Sequence, residues 1–148
     1  RSTPKTHRRQ RQMCIRDSFL GTAPDRAKKV FDVTMEARSK AFELIKPGVR
    51  AEEVDRKVLS IIEDAGFGDN ILHRTGHGFG ITGHEPPWVA LGSEHVLTKN
   101  MVISIEPGIY IEGVGGFRHS DTVLVTDNGC VSLTEYSDSL DELTLKLP

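Results

Sequence analysis

His73-Arg74-Thr75-Gly76-His77-Gly78-Phe79-Gly80 decides how this chain must be read. Two histidines four apart would share one face of a helix, but glycines at 76, 78 and 80 forbid a stable helix there. A helical zinc-peptidase pair is therefore excluded, and no His-Glu-x-x-His occurs. Alternation through Gly76-His77-Gly78-Phe79-Gly80 gives instead an extended segment in which backbone and imidazole can approach a bound group closely. The bland alternative for any one of these histidines is a place in a flexible loop.

On the upstream side, Ile71 to Thr75 reads as a short strand leading into the glycines. Before it the period is helical. Gly21-Thr22-Ala23-Pro24-Asp25 is a helix start: Thr22 can cap, Pro24 fits a first turn, and Asp25 completes a Thr-x-x-acid spacing. Ala27, Val30, Phe31, Thr34, Ala41, Phe42 and Ile45 recur on one face until Lys46-Pro47-Gly48, where a cation, a breaker and a flexible residue coincide. A second helix follows, with Val54, Val58, Ile61, Ile62 and Ala65 on one stripe and Gly66 as its stop. Arg50 is a poor cap for it, while Glu52 and Glu53 suit the positive end of its dipole. Charges such as Lys28, Lys29, Glu52 and Arg56 read as a solvated face.

Downstream the period is two. Met101, Ile103 and Ile105 alternate with Val102, Ser104 and Glu106, so Glu106 lies opposite the three large apolar groups. Pro107-Gly108 kinks the chain before Ile109-Tyr110-Ile111, and Gly113 to Gly116 turns it. Phe117 to Thr126 reads as one longer strand ending in Asp127-Asn128-Gly129, with Val131 to Thr134 returning as a hairpin. Two helices followed by several antiparallel strands is an α+β arrangement.

Composition narrows the class. The 148 residues suit one domain or a piece of one. Hydrophobic residues at 37% and charged residues at 27% are ordinary for a soluble globular chain. A net charge of −2 gives no case for a nucleic-acid or membrane partner. There is no apolar run of about 18 residues to cross a bilayer. Cys14 and Cys130 make neither a disulfide framework nor a zinc pattern, so a reducing, cytoplasmic setting is the default. Residues 1–18 stand apart: Arg1, Lys5, Arg8, Arg9, Arg11 and Arg16 come with almost nothing to bury, and no signal-peptide core is present. Met13-Cys14-Ile15-Arg16-Asp17-Ser18 resembles the translated end of a sequencing-library adapter. The segment is expected to be non-native or disordered, against the alternative of a genuine basic tail, and residues 19–148 carry the fold.

Four spaced blocks now stand in order: His77-Gly78-Phe79-Gly80; His84-Glu85-Pro86-Pro87; Ser104-Ile105-Glu106-Pro107-Gly108-Ile109-Tyr110; and Gly116-Phe117-Arg118-His119-Ser120-Asp121-Thr122 with its hydrophobic continuation. Together with Lys46-Pro47-Gly48-Val49 they resemble the pita-bread metallopeptidases of the Xaa-Pro dipeptidase, aminopeptidase P and creatinase kind, over roughly Phe19 to the C-terminus. The resemblance implies a partial pita-bread fold, two helices packed on a curved antiparallel sheet, forming the truncated C-terminal portion of a catalytic domain. It implies a metal-dependent exopeptidase hydrolysing an N-terminal Xaa-Pro type bond through a water activated by two divalent ions (Mn, Co or Zn). It also implies a peptide or small amide substrate and a homodimer in the parent, the chain as written being inactive.

Carried over by position, His77 and Glu106 would be metal ligands, with Glu106 also the catalytic carboxylate. His73 and His84 would act on the scissile amide or the oxyanion and line the substrate cleft. Arg118 would be a substrate-binding anchor, supported by Asp121. Two dications need oxygen-rich ligands, lower the pKa of a shared water and polarise the carbonyl. Neutral histidines then supply donors where charge appears. Two departures are visible. The family's two aspartate ligands precede the long helix, where this chain has its Arg-rich stretch, and Asp17 sits near the second of them inside that segment. Ser120 stands where the family has a bridging glutamate, and His119, a candidate substitute, faces the other side of a regular strand. Ser120 favours one rival, a metal-free, creatinase-like C–N hydrolase; another is a catalytically dead peptidase-like binding module, against which the retained cleft histidines argue. Trp88 is read as a cleft wall or core cover, Tyr110 as packing, and Cys130 as an inert small hydrophobe.

Overall fold

A computed structural model describes residues 17–78 and 80–146. The readings of residues 1–16, Cys14 included, and of Phe79 lie outside the described residues. Helix α1 spans Asp25–Leu44 and buries Ala27, Val30, Phe31, Val33, Thr34, Ala37, Arg38 and Ala41. Its cap is not Thr22. Pro24 occupies the N-cap in an extended conformation with no side-chain cap bond, which leaves the Thr22 hydroxyl two residues outside the position from which it could reach the first turn. Helix α2 spans Ala51–Asp64 and buries Ala51, Val54, Asp55, Val58 and Ile62. Arg50 has no capping oxygen, so the Glu53 side chain reaches back to accept the Arg50 amide at 3.3 Å. Glu52 pairs with Arg56 on the exposed face. No helix among the described residues is long and apolar enough to cross a membrane.

The strands are β1 (Phe19–Leu20), β2 (Gly76–Gly78), β3 (Glu85–Val89), β4 (Val102–Ile105), β5 (Gly108–Ile111), β6 (Gly115–Arg118), β7 (Asp121–Val125), β8 (Cys130–Ser132) and β9 (Thr144–Leu145). Five of them form one sheet in the order β3-β2-β4-β7-β8, every neighbouring pair antiparallel. The pair β5-β6 is separate, and β1 lies parallel to β9.

Two expectations about strands are corrected. Ile71 to Thr75 is not a strand: a single 3-10 turn at Gly68–Asn70 precedes it, and ladder pairing begins at Gly76 because only there do β3 and β4 flank the chain. Phe117 to Thr126 is not continuous either. It breaks at His119-Ser120, because its first part follows β5 through the turn while its second part follows β4. The hairpin onto Cys130–Ser132 forms as its turn signal predicts.

Register explains the two faces of the sheet. Ile105 pairs with Asp121 and Ile103 with Val123, while Gly76 pairs with Ile105 and Val89. Ile103, Ile105, Val89, Val123 and Val125 are all fully buried and join Val30, Ala37, Val54, Val58 and Ile62 of the helices in one apolar cluster. Burying each such side chain is worth about 1.5–3 kcal/mol. The alternate positions, His77, Trp88, Ser104 and Thr122, share the other face. Glu106 follows the β4 alternation onto that face, as its sequence position predicts.

Gly76 is required by close approach. A Cβ there would lie 2.0 Å from the Ser104 carbonyl oxygen.

Candidate active site

The fold delivers two imidazoles and a carboxylate to one spot. Helix α2 begins the arrangement: buried Asp55 accepts the Thr75 amide at 2.9 Å, and the Thr75 carbonyl accepts the Glu106 amide at 2.7 Å. The backbone leading to His77 is thereby locked to the end of β4. His77 is 3% exposed and Glu106 8%. Nε2 of His77 stands 3.4 Å from Oε1 of Glu106. The His84 ring lies 4.0 Å from the His77 ring, centroid to centroid, tilted by 35°. Potential ligand atoms of His77, His84 and Glu106 all fall within 4.8 Å of one another, the one such trio among the described residues.

Hydrogen bonding sets the character of this trio. Nδ1 of His77 meets the Gly78 carbonyl at 2.9 Å. A carbonyl can only accept, so Nδ1 carries the proton and the Nε2 lone pair faces Glu106. Two acceptors facing each other at that distance form a stable pair only with a cation or a proton between them. A backbone carbonyl behind the imidazole is also the usual support of a metal-binding histidine. The donor set therefore fits a divalent cation at His77 and Glu106, with His84 beside it.

Charge follows the same geometry. Burial pushes the Glu106 carboxyl upward, but a proton shared with His77 Nε2 and the charge of Arg118 outweigh it and hold it below the usual carboxylate range. His84 is pushed down, first by what desolvation it has and then by His77, with Arg74 and Arg118 adding to this against Glu106. Its neutral form is favoured. Ser120 donates to Oε2 of Glu106 at 3.4 Å, so a hydroxyl occupies the side of the carboxylate where the family resemblance places a second acid.

His119 takes no part in the trio. It lies on the far face, edge-on to Phe31 with centroids 6.0 Å apart, and its Nε2 is 3.3 Å from Asp138. The alternation argument against His119 as a ligand holds. Asp121 pairs with Arg38 at 2.5 Å and accepts from Ser132, the strand pairing it with Ile105.

Arg118 is close enough to influence Glu106 and His84. Its amide donates to the Asp17 carboxylate, whose pKa burial raises despite Arg118. Asp17 is not among the metal-capable trio. His73 uses both nitrogens within the protein: Nδ1 on the Arg74 carbonyl and Nε2 on the Tyr110 hydroxyl, each at 2.8 Å. The carbonyl fixes the proton on Nδ1, so Tyr110 donates to Nε2.

Tyr110, which the sequence reading assigned to packing, is tied into this hydrogen-bond network. Its hydroxyl also takes a hydrogen bond from the Arg118 side chain, and burial raises its pKa. The available signal was Gly108, where a Cβ would lie 2.8 Å from His73 Nε2 and 3.0 Å from the Tyr110 ring. Trp88, the register partner of His77, shares its face of the sheet. Cys130 is half-buried, its Sγ 3.5 Å from the Phe42 carbonyl, with its pKa raised by burial.

A histidine–carboxylate trio on one face of an antiparallel sheet, backed by two helices, is an arrangement that could hold a metal ion. Metallopeptidase family M24 matches residues 13–127, and the chain belongs to that family. The Xaa-Pro dipeptidase of Pyrococcus furiosus is 42% identical over 120 residues, covering 81% of this chain and 34% of the relative. The crystal structure of the prolidase from Pyrococcus horikoshii OT3 superposes with a TM-score of 0.79 at 42% identity, over 81% of this chain and 35% of that one. The Xaa-Pro dipeptidase from Bacillus anthracis gives 0.81 at 35% identity, over 85% and 35%. The fold is accordingly a part of the pita-bread α+β fold, and the chain spans about a third of the length of the curated relatives it matches.

Proposed function

We propose that the protein containing this chain is a metal-dependent exopeptidase that hydrolyses an N-terminal Xaa-Pro type bond, and that these residues form the C-terminal side of its catalytic cleft. The carrying observation is His77 Nε2 facing Glu106 Oε1 at 3.4 Å with Nδ1 already committed to a carbonyl. The names borne by the relatives, Xaa-Pro dipeptidase and prolidase, support the substrate class.

In this reading His77 and Glu106 hold the divalent metal. Bound there, a dication acts as a Lewis acid on the scissile carbonyl and brings a water toward ionisation near neutral pH. Glu106, kept ionised by Arg118, would receive the proton of the attacking water as its oxygen bonds to the carbonyl carbon. The same proton passes to the departing nitrogen as the C–N bond breaks. Neutral His84 donates to the oxygen on which charge develops. His73 acts through Tyr110, whose hydroxyl it orients, and Arg118 anchors the substrate beside them.

A second reading rests on Ser120. A hydroxyl beside Glu106 in place of a carboxylate favours a metal-free C–N hydrolase working with histidine and glutamate alone. Metal analysis of the full-length protein, with assays on an Xaa-Pro dipeptide and a guanidino compound, separates the two. His77→Ala should abolish metal uptake by mass spectrometry; unchanged metal stoichiometry would refute the first reading.

A further inference from the structure

Between β6 and β7 the chain leaves its ladders for two residues. Pairing with β5 ends at Arg118, and pairing with β4 begins at Asp121. Strand register therefore does not place His119 and Ser120, and the His119 amide reaches the Pro107 carbonyl at a long 3.4 Å. Yet this stretch serves the cleft. The Ser120 hydroxyl stands 3.4 Å from Oε2 of Glu106, and the Arg118 side chain bonds the Tyr110 hydroxyl.

Side chains behind the break do the holding. His119 is 2% exposed and lies edge-on to Phe31 of α1. Its Nε2 is 3.3 Å from Oδ1 of Asp138; a carboxylate accepts, so Nε2 donates. The other oxygen of Asp138 takes Nη1 of Arg38 at 3.0 Å, while Nε of the same guanidinium is held by Asp121. One arginine of α1 thus joins a carboxylate of β7 to a carboxylate of the C-terminal segment, and the second of these also grips the histidine of the break. Hydrogen bonds to charged groups are the stronger kind. The segment carrying Asp138 is itself secured by buried Leu143 and by Thr144-Leu145 pairing with β1. Residues 119 and 121 are anchored at the rear, which leaves Arg118 and Ser120 directed to the cleft.

We propose that Asp138 is a positioning residue of the cleft: through His119 it holds the strand break so that Ser120 and Arg118 keep their places beside Glu106. This deepens the peptidase reading and rests on it.

The test compares wild type, Asp138→Ala, His119→Phe and the double variant, each as the full-length, metal-loaded protein, on an Xaa-Pro dipeptide. His119→Phe keeps a ring against Phe31 and loses the Nε2 donor. Each single substitution should lower kcat/KM roughly threefold to tenfold, the span of one hydrogen bond. The double variant should lose no more than either single, because both remove the same contact. Circular dichroism establishes that the variants fold, and mass spectrometry should show unchanged metal stoichiometry. A purely structural role would lower the melting temperature and leave kcat/KM, measured below the transition, as in the wild type. That result, a loss in only one of the singles, or losses that multiply in the double variant overturn the proposal and leave the peptidase reading intact. If the wild type cleaves no dipeptide, the peptidase reading fails. The Nε–H resonance of Arg118, assigned by its disappearance in Arg118→Lys, then decides: a shift in Asp138→Ala supports the proposal, and an unmoved signal overturns it.

Discussion

Replacing Arg38 with methionine should cost about 3–5 kcal/mol, the range for removing one member of a buried ion pair. The geometry behind that figure is specific. Arg38 is 8% exposed, Asp121 is fully buried, and Nε stands 2.5 Å from Oδ2. Unit charges whose centres are about 4 Å apart attract by about 4 kcal/mol at an effective dielectric near 20. Methionine keeps most of the aliphatic stem, so the loss is chiefly the stranded carboxylate at Asp121. The Asp138 partner supplies an internal control: it binds the same guanidinium at 3.0 Å, but its side chain is 49% exposed. Asp138→Asn should therefore cost less than about 1 kcal/mol. Adding Asp121→Asn to Arg38→Met should recover part of the loss by removing the uncompensated charge. Urea titration followed by the fluorescence of Trp88, the single tryptophan, reads all of these. With a slope of about 1–3 kcal/mol per molar urea, the Arg38→Met midpoint should fall by on the order of 2 M. A loss under about 1 kcal/mol, or an equal loss in Asp138→Asn, refutes the assignment of the pair as buried and coupled.

Gly76→Ala drives a methyl into the Ser104 carbonyl and should cost at least about 1–3 kcal/mol in a thermal melt, whereas Gly129→Ala, with open space around it, should melt like the wild type. Tyr110→Phe removes the donor to His73 and should cost about 0.5–1.5 kcal/mol. Its His73 ring signals in NMR should shift; an unmoved His73 spectrum would disprove the contact.

Much of this architecture was readable from residue order, and the failures have identifiable causes. The α1 stripe and the Met101–Glu106 alternation specify one buried face each, so periodicity located them and placed Glu106 opposite Ile103 and Ile105. The resemblance carried by the four spaced blocks implied that His77, His84, Glu106 and Arg118 belong to one site, which no periodicity could have indicated. Periodicity carries no information about which strand a segment will pair with. The break at His119-Ser120 and the β1–β9 pairing were invisible for that reason. Buried charges were also missed: Arg38 and Asp55 look like members of a solvated helix face until their partners, eighty-three and twenty residues away, are known. Tyr110 was assigned to packing, and its hydroxyl meets its partners, a histidine thirty-seven residues upstream and Arg118, only once the chain is folded.

The Asp55 carboxylate on the Thr75 amide gives α2 a direct grip on the strand that carries His77. Any opening that frees the Thr75 proton to exchange with solvent must also loosen the His77 imidazole. The exchange rate of that single amide is consequently a gauge of how often the cleft comes apart, readable without substrate, metal or mutation.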